Sequence, residues 1–132
     1  MTYTTDMANA ARRHRQAGEN LMTGHRKDVA GYLFGIAAEC AFKAMMQRFG
    51  IPTIKPRSED PYFAHFQELK MMALDRLHGR YSGSLRKFCE SSAFMQYWDI
   101  TMRYSSGREI QPAWVDRWRA DADEIIKAME EA

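Results

Sequence analysis

Apolar residues recur at helical spacing almost from the start of the chain. Met7, Ala10, Ala11, His14, Gly18, Leu21 and Met22 share one face of a first helix. Thr5 or Asp6 can cap it by accepting its unpaired N–H groups, and Gly24 is a plausible stop. From Val29 to Met46 the pattern changes. Ala30, Gly31, Gly35, Ala37, Ala38, Ala41 and Ala44 place small residues on several faces, and only Asp28, Glu39 and Lys43 are charged between Asp28 and Met46. A helix apolar nearly all round belongs at the centre of a bundle, so the segment around Lys27 to Phe49 is expected to be its buried spine. Gly50 and Pro52 end it.

Three of the four prolines fall between Ile51 and Pro61, which predicts a loop. Asp60-Pro61 then looks like a cap and first-turn proline. A third helix is expected through Tyr62, Phe66, Leu69, Ala73 and Leu77, with Phe63 and Met72 beside the stripe and Gly79 at its end. Leu85, Phe88 and Cys89 suggest a short fourth helix capped by Ser84. The stretch Phe94 to Tyr104 is aromatic without a clean period, and Ser105-Ser106-Gly107 marks a turn. The last helix starts near Pro112 and buries Trp114, Trp118, Ala122, Ile125, Ile126 and Met129, with a charged opposite face. No strand alternation or internal repeat is visible. The expected fold is all-α, a compact antiparallel bundle of about five helices in one domain spanning residues 1–132.

Composition adds limits. A chain of 132 residues can bury a core without disulfide staples. The formal net charge of +2 is too small to argue for nucleic acid by itself, and the Arg12, Arg13, Arg15 cluster reads as a solvated helix face. Cys40 sits in an apolar run and is expected to be a buried thiol. Neither it nor Cys89 has a CxxC partner or metal-ligand spacing. No basic start with an apolar core opens the chain, and no stretch approaches about 18 uncharged apolar residues. A cytoplasmic protein without membrane contact is expected.

The phosphate-binding glycine patterns, the HExxH zinc pattern and the GxSxG elbow are all absent, so no cofactor or metal is called for. Three polar features remain. Glu39 and Lys43 lie one turn apart on the spine helix, and burying a carboxylate costs several kcal/mol unless it is paired. A structural ion pair of Glu39 with Lys43 or an arginine is therefore expected, the alternative being a groove carboxylate. Arg103-Tyr104 follows Trp98 and precedes a glycine turn; Arg103 is expected to reach Glu39 as a bidentate donor, or else to bind a phosphate. His65 lies at the start of the third helix, where the helix dipole disfavours its charged form and suits a general base. His14, on the apolar face of the first helix, is expected to be a satisfied core or interface histidine.

Taken together, the run Gly31-Tyr32-Leu33-Phe34-Gly35-Ile36-Ala37-Ala38-Glu39-Cys40-Ala41-Phe42-Lys43-Ala44 resembles the second-helix signature of HEPN domains (higher eukaryotes and prokaryotes nucleotide-binding). That signature is a small-residue run followed by Ala-Glu-x-Ala-x-Lys. His65 with Leu69 resembles the family's next helix, and Trp98 with Arg103-Tyr104 its late Trp and Arg-Tyr element. The resemblance extends over residues 7 to 130. It implies a helical bundle that usually dimerises. Active members are metal-independent ribonucleases of toxin–antitoxin and phage-defence systems, marked by an Arg, four to six residues, then His. That spacing is missing here: seven residues separate Arg57 from His65, nine separate Arg15 from His25, and one separates Arg76 from His78.

Three functions are consistent with this pattern. The first is a non-catalytic HEPN-like module that forms a homodimer or docks on a partner such as a nucleotidyltransferase antitoxin. It would bind a nucleotide or RNA phosphate in a groove near Glu39, Lys43, Arg103 and Tyr104. The second is a degenerate metal-independent endoribonuclease with His65 as base and Arg57 or Arg103 on the phosphate. The third is a helical interaction protein with no ligand, its Trp and Met residues serving only core and interface.

Overall fold

The computed structural model describes residues 2–77 and 83–132. Their regular elements are all helical: α1 (Met7–Leu21), α2 (Lys27–Arg48), α3 (Glu68–Leu74), α4 (Gly83–Glu90) and α5 (Pro112–Glu131), with short 3-10 turns at Arg57–Glu59, Pro61–Phe63 and Ile100–Tyr104. Asp6 caps α1, accepting from the Asn9 N–H at 3.1 Å. Gly50 follows α2 with φ of 76°, a left-handed conformation that glycine adopts without steric cost.

α2 is the spine. α1 and α5 pack along it, and its interior positions from Ala30 to Met46 are mostly buried. By length and hydropathy α2 is also long and apolar enough to cross a bilayer, but most of that apolar surface is covered by the rest of the chain. The small residues explain the close packing. Gly31 lies under Trp118 and Val115, and Gly35 lies under the Trp98 ring, where an added Cβ would overlap the indole. Gly18 of α1 makes the matching approach to Phe34 of α2. Each large apolar side chain buried here contributes about 1.5–3 kcal/mol. Exposed ion pairs run between α1 and α5: Arg12 to Glu130 at 3.1 Å, Arg15 to Asp123 at 3.9 Å, and Arg119 to Glu19 through two bonds of 2.6 Å. The arginine cluster is thus on a solvated face.

The third helix differs from expectation. Asp60 caps as the sequence suggests, accepting from the Tyr62 N–H at 3.0 Å, but the turn that follows ends at Phe63. Helix resumes only at Glu68. The reason is tertiary: the Phe66 N–H, which a continuous helix would use, donates instead to the Glu39 carboxylate. The expected stop at Gly79, and His78, lie outside the described residues. α4 begins at Gly83, so Ser84 sits within its first turn.

The aromatic stretch without a period is a loop held by side chains from the neighbouring helices. Lys70 donates to the carbonyls of Ser91 (3.0 Å) and Phe94 (2.7 Å), and Gln67 to that of Met95 (2.7 Å). Asp121 accepts from the Met95 N–H at 2.8 Å, and the Trp118 indole donates to the Gln96 carbonyl at 2.8 Å. Met95 and Tyr97 both have positive φ, which this set of bonds holds in place.

Candidate functional site

The buried carboxylate on the spine has a partner, and it is a histidine. Glu39 is 3% exposed. One oxygen meets His65 Nδ1 at 2.8 Å, and the other accepts from the Phe66 N–H at 2.9 Å. Neither expected cation is bonded to it. Arg103 is exposed and stacks its guanidinium 5.0 Å from the centre of the Tyr104 ring, beside the Tyr32 hydroxyl. Lys43 is 7% exposed, and its ammonium does not come within ion-pair distance of Glu39. A buried carboxylate must be satisfied, and here a histidine and a backbone N–H do so without a permanent cation.

The electrostatics of this centre follow from burial. Desolvation raises the Glu39 pKa; the His65 hydrogen bond and the Lys43 charge oppose that rise without cancelling it. Lys43 moves the other way, its pKa lowered by burial, with Glu39, Cys40 and Asp60 opposing. Burial also pushes the neighbouring Cys40 thiol up to about 11, so it is a poor nucleophile at neutral pH. The His65 side chain is 38% exposed. Nδ1 is engaged with Glu39, and among the described residues the other ring nitrogen has no hydrogen-bond partner. A ring oriented by a carboxylate is present, but among the described residues no arginine is bonded to it. Arg57 lies over Phe63, 4.1 Å from the ring centre, and neither Arg57 nor Arg103 bonds to His65.

The four residues expected to share one groove therefore fall in two places. Glu39 and Lys43 are sealed in the bundle, whereas Arg103 and Tyr104 stand on an open surface where α2 begins. Two adjoining clefts open there, of about 260 and 250 Å³. Both are lined by Arg26, Asp28, Gly107 and Ile110, so the two clefts adjoin in one grooved surface. His25 and Arg108 lie toward one end, Tyr32 and Arg103 toward the other. Asp28 is the one carboxylate lining it and is bonded to Arg26 at 2.5 Å, while Lys27 turns to Asp116 at 2.9 Å. Gly107, with φ of 84°, lets the 105–108 turn close against Asp28. Arg26, Arg108 and His25 were not singled out from the sequence. The one signal for them was a Ser-Ser-Gly turn next to a basic residue.

His14 is partly buried on α1, its pKa lowered by burial and by Arg13. Among the described residues no group of three or more His, Cys, Asp or Glu side chains is placed to hold a metal ion. Comparison of the chain with models of protein families, with curated proteins and with solved structures finds no match. The likeness to HEPN domains rests on the residues of α2, His65 and the Trp98 to Tyr104 element alone.

Proposed function

We propose that this chain is a non-catalytic HEPN-like module that dimerises and binds a nucleotide or RNA phosphate, acting with a partner in a toxin–antitoxin or phage-defence setting. The observation that carries this reading is the groove at the start of α2. Three arginines converge on it, its single carboxylate is already paired, and Tyr32 and Tyr104 flank Arg103. Guanidinium groups give bidentate bonds to phosphate, and exposed aromatic rings stack on bases. The half-exposed apolar strip of α2 through Val29, Leu33 and Ile36 supports self-association. The family's Arg–His spacing is missing, and among the described residues no arginine is bonded to His65, which favours binding over cleavage.

Fluorescence anisotropy with labelled single-stranded RNA and with mononucleotides, at two salt concentrations, tests the reading, with analytical ultracentrifugation beside it. Salt-sensitive binding by a dimer that leaves the RNA intact is expected. A monomer that binds neither RNA nor nucleotide would refute the reading and favour a ligand-free interaction protein.

One observation favours a second reading, the degenerate endoribonuclease. His65 is held by Glu39 with its second nitrogen unpartnered, as a general base requires. Cleavage of RNA that disappears in His65→Ala would establish that activity. Absence of cleavage in both proteins would exclude it.

A further inference from the structure

The largest of the cavities described here lies at the opposite end of α2 from the groove, about 30 Å away by the helical rise. It has a volume of about 410 Å³. Met7, Ile51, Tyr62 and Phe63 form its walls, and Thr5, Gln47 and Thr53 its rim. Phe63 is 50% exposed yet held, because the Arg57 guanidinium covers one of its faces. Tyr62 is fixed by donating its hydroxyl to the Ile51 carbonyl at 2.5 Å. Burial and Asp60 push that hydroxyl up to about 12, so this wall stays neutral.

The residues that line the pocket carry no charge. Asp6 is bonded to Asn9, Asp60 to the Tyr62 N–H, and Arg48 to the carbonyls of Met129 and Ala132. The rim groups, the Gln47 amide and the Thr5 and Thr53 hydroxyls, are neutral and polar. Tyr3, the aromatic residue nearest in sequence, is 82% exposed and does not fill the space. Aromatic walls with a few neutral polar groups, at this volume, match a small planar ligand. A phosphate or carboxylate would find no cation among the residues that line it, Arg57 being stacked on the Phe63 ring.

We propose that this pocket binds an uncharged planar heteroaromatic molecule, about the size of a two-ring heterocycle, with Phe63 and Tyr62 against the ring and the Gln47 amide bonded to its edge. An amide reads adjacent donor and acceptor atoms on such an edge, which gives orientation as well as affinity. The site is independent of the groove and of the proposed RNA binding.

The experiment uses the whole chain and quinazolinone, a neutral lactam with adjacent donor and acceptor, followed by amide chemical shifts in ¹⁵N-labelled protein. Shifts confined to the residues of this pocket are expected, with a dissociation constant on the order of 1 mM or tighter. Gln47→Leu, on an exposed position that leaves folding intact, is expected to weaken binding about tenfold, the scale of one or two lost hydrogen bonds. Phe63→Ala is expected to abolish it, and benzoate, a charged ring, to bind more weakly than quinazolinone. Shifts elsewhere, equal affinity in Gln47→Leu, or equal binding of benzoate would overturn the proposal. RNA binding at the groove is measured separately, so neither result decides the other.

Discussion

The centre of α2 and its first turn handle polar groups in opposite ways. Around Glu39 the polar atoms close on one another inside the bundle, and the carboxylate has spent both oxygens on His65 and Phe66. Around Arg103 they remain open to solvent, with guanidinium groups facing a groove. A buried charge must be satisfied inside the molecule, so it is committed to structure. An exposed charge keeps its hydration and can exchange it for a ligand. The two regions differ in what a substitution should cost, and that difference can be measured.

The largest effect is expected at the closed centre. Glu39→Ala leaves the Phe66 N–H and His65 Nδ1 without their acceptor and Lys43 without its nearest opposing charge. A loss of about 2–4 kcal/mol is expected in urea denaturation, since each buried group left unsatisfied costs about 1–3 kcal/mol. A loss below about 1 kcal/mol would mean that the centre is not closed in solution. Gly35→Ala comes next. Its methyl group would overlap the Trp98 indole, whose Nε1 donates to the Gly31 carbonyl at 3.2 Å. Overpacking of this kind costs about 1–3 kcal/mol. Loss of the Trp98 fluorescence environment alongside the fall in stability would locate the damage.

The third prediction concerns pH. The folded-state pKa of Glu39 is raised by burial from its ordinary value of 4.5. The folded protein therefore holds this proton more tightly than the unfolded chain. The stabilising contribution is present in full below pH 4.5 and is lost as pH rises through the folded value. Glu39→Gln removes it. The stability difference between wild type and Glu39→Gln should then shrink, in the sense of favouring wild type less, as pH rises from 4.5. A difference that grows with pH would mean that the carboxylate is stabilised as an anion.

How much of this was legible in the sequence depended on where each interaction begins and ends. α2 and α5 were readable because local signals agree: small residues and Gly50 for one, Pro112 and a clear apolar stripe for the other. α3 was misjudged because the Phe66 N–H leaves the helix ladder for Glu39, 27 residues earlier, and no local pattern records that. The same distance hid His65 as the partner of Glu39. The sequence points to Lys43 or an arginine such as Arg103 as the partner, but Lys43 stays outside ion-pair distance and Arg103 lies near Tyr32. The groove was partly visible through Arg103 and Tyr104. Arg26 and Arg108 join it from opposite parts of the chain, brought together by the Gly107 turn against Asp28, and their meeting appears only in the fold.

The smallest effect on stability is expected at the open region, and there the comparison is tested most directly. Arg103→Ala removes a guanidinium that makes no ion pair among the described residues and rests on the exposed Tyr104 ring. Stability should stay within about 0.5 kcal/mol of wild type, as for surface positions in general. RNA or nucleotide affinity, read by anisotropy, should fall about tenfold, the scale of one lost charge-assisted contact to phosphate. Its salt dependence should also become shallower by about one phosphate contact. If Arg103→Ala instead destabilises the fold and leaves affinity unchanged, Arg103 belongs to the structure, and the distinction between a closed centre and an open groove fails at that residue.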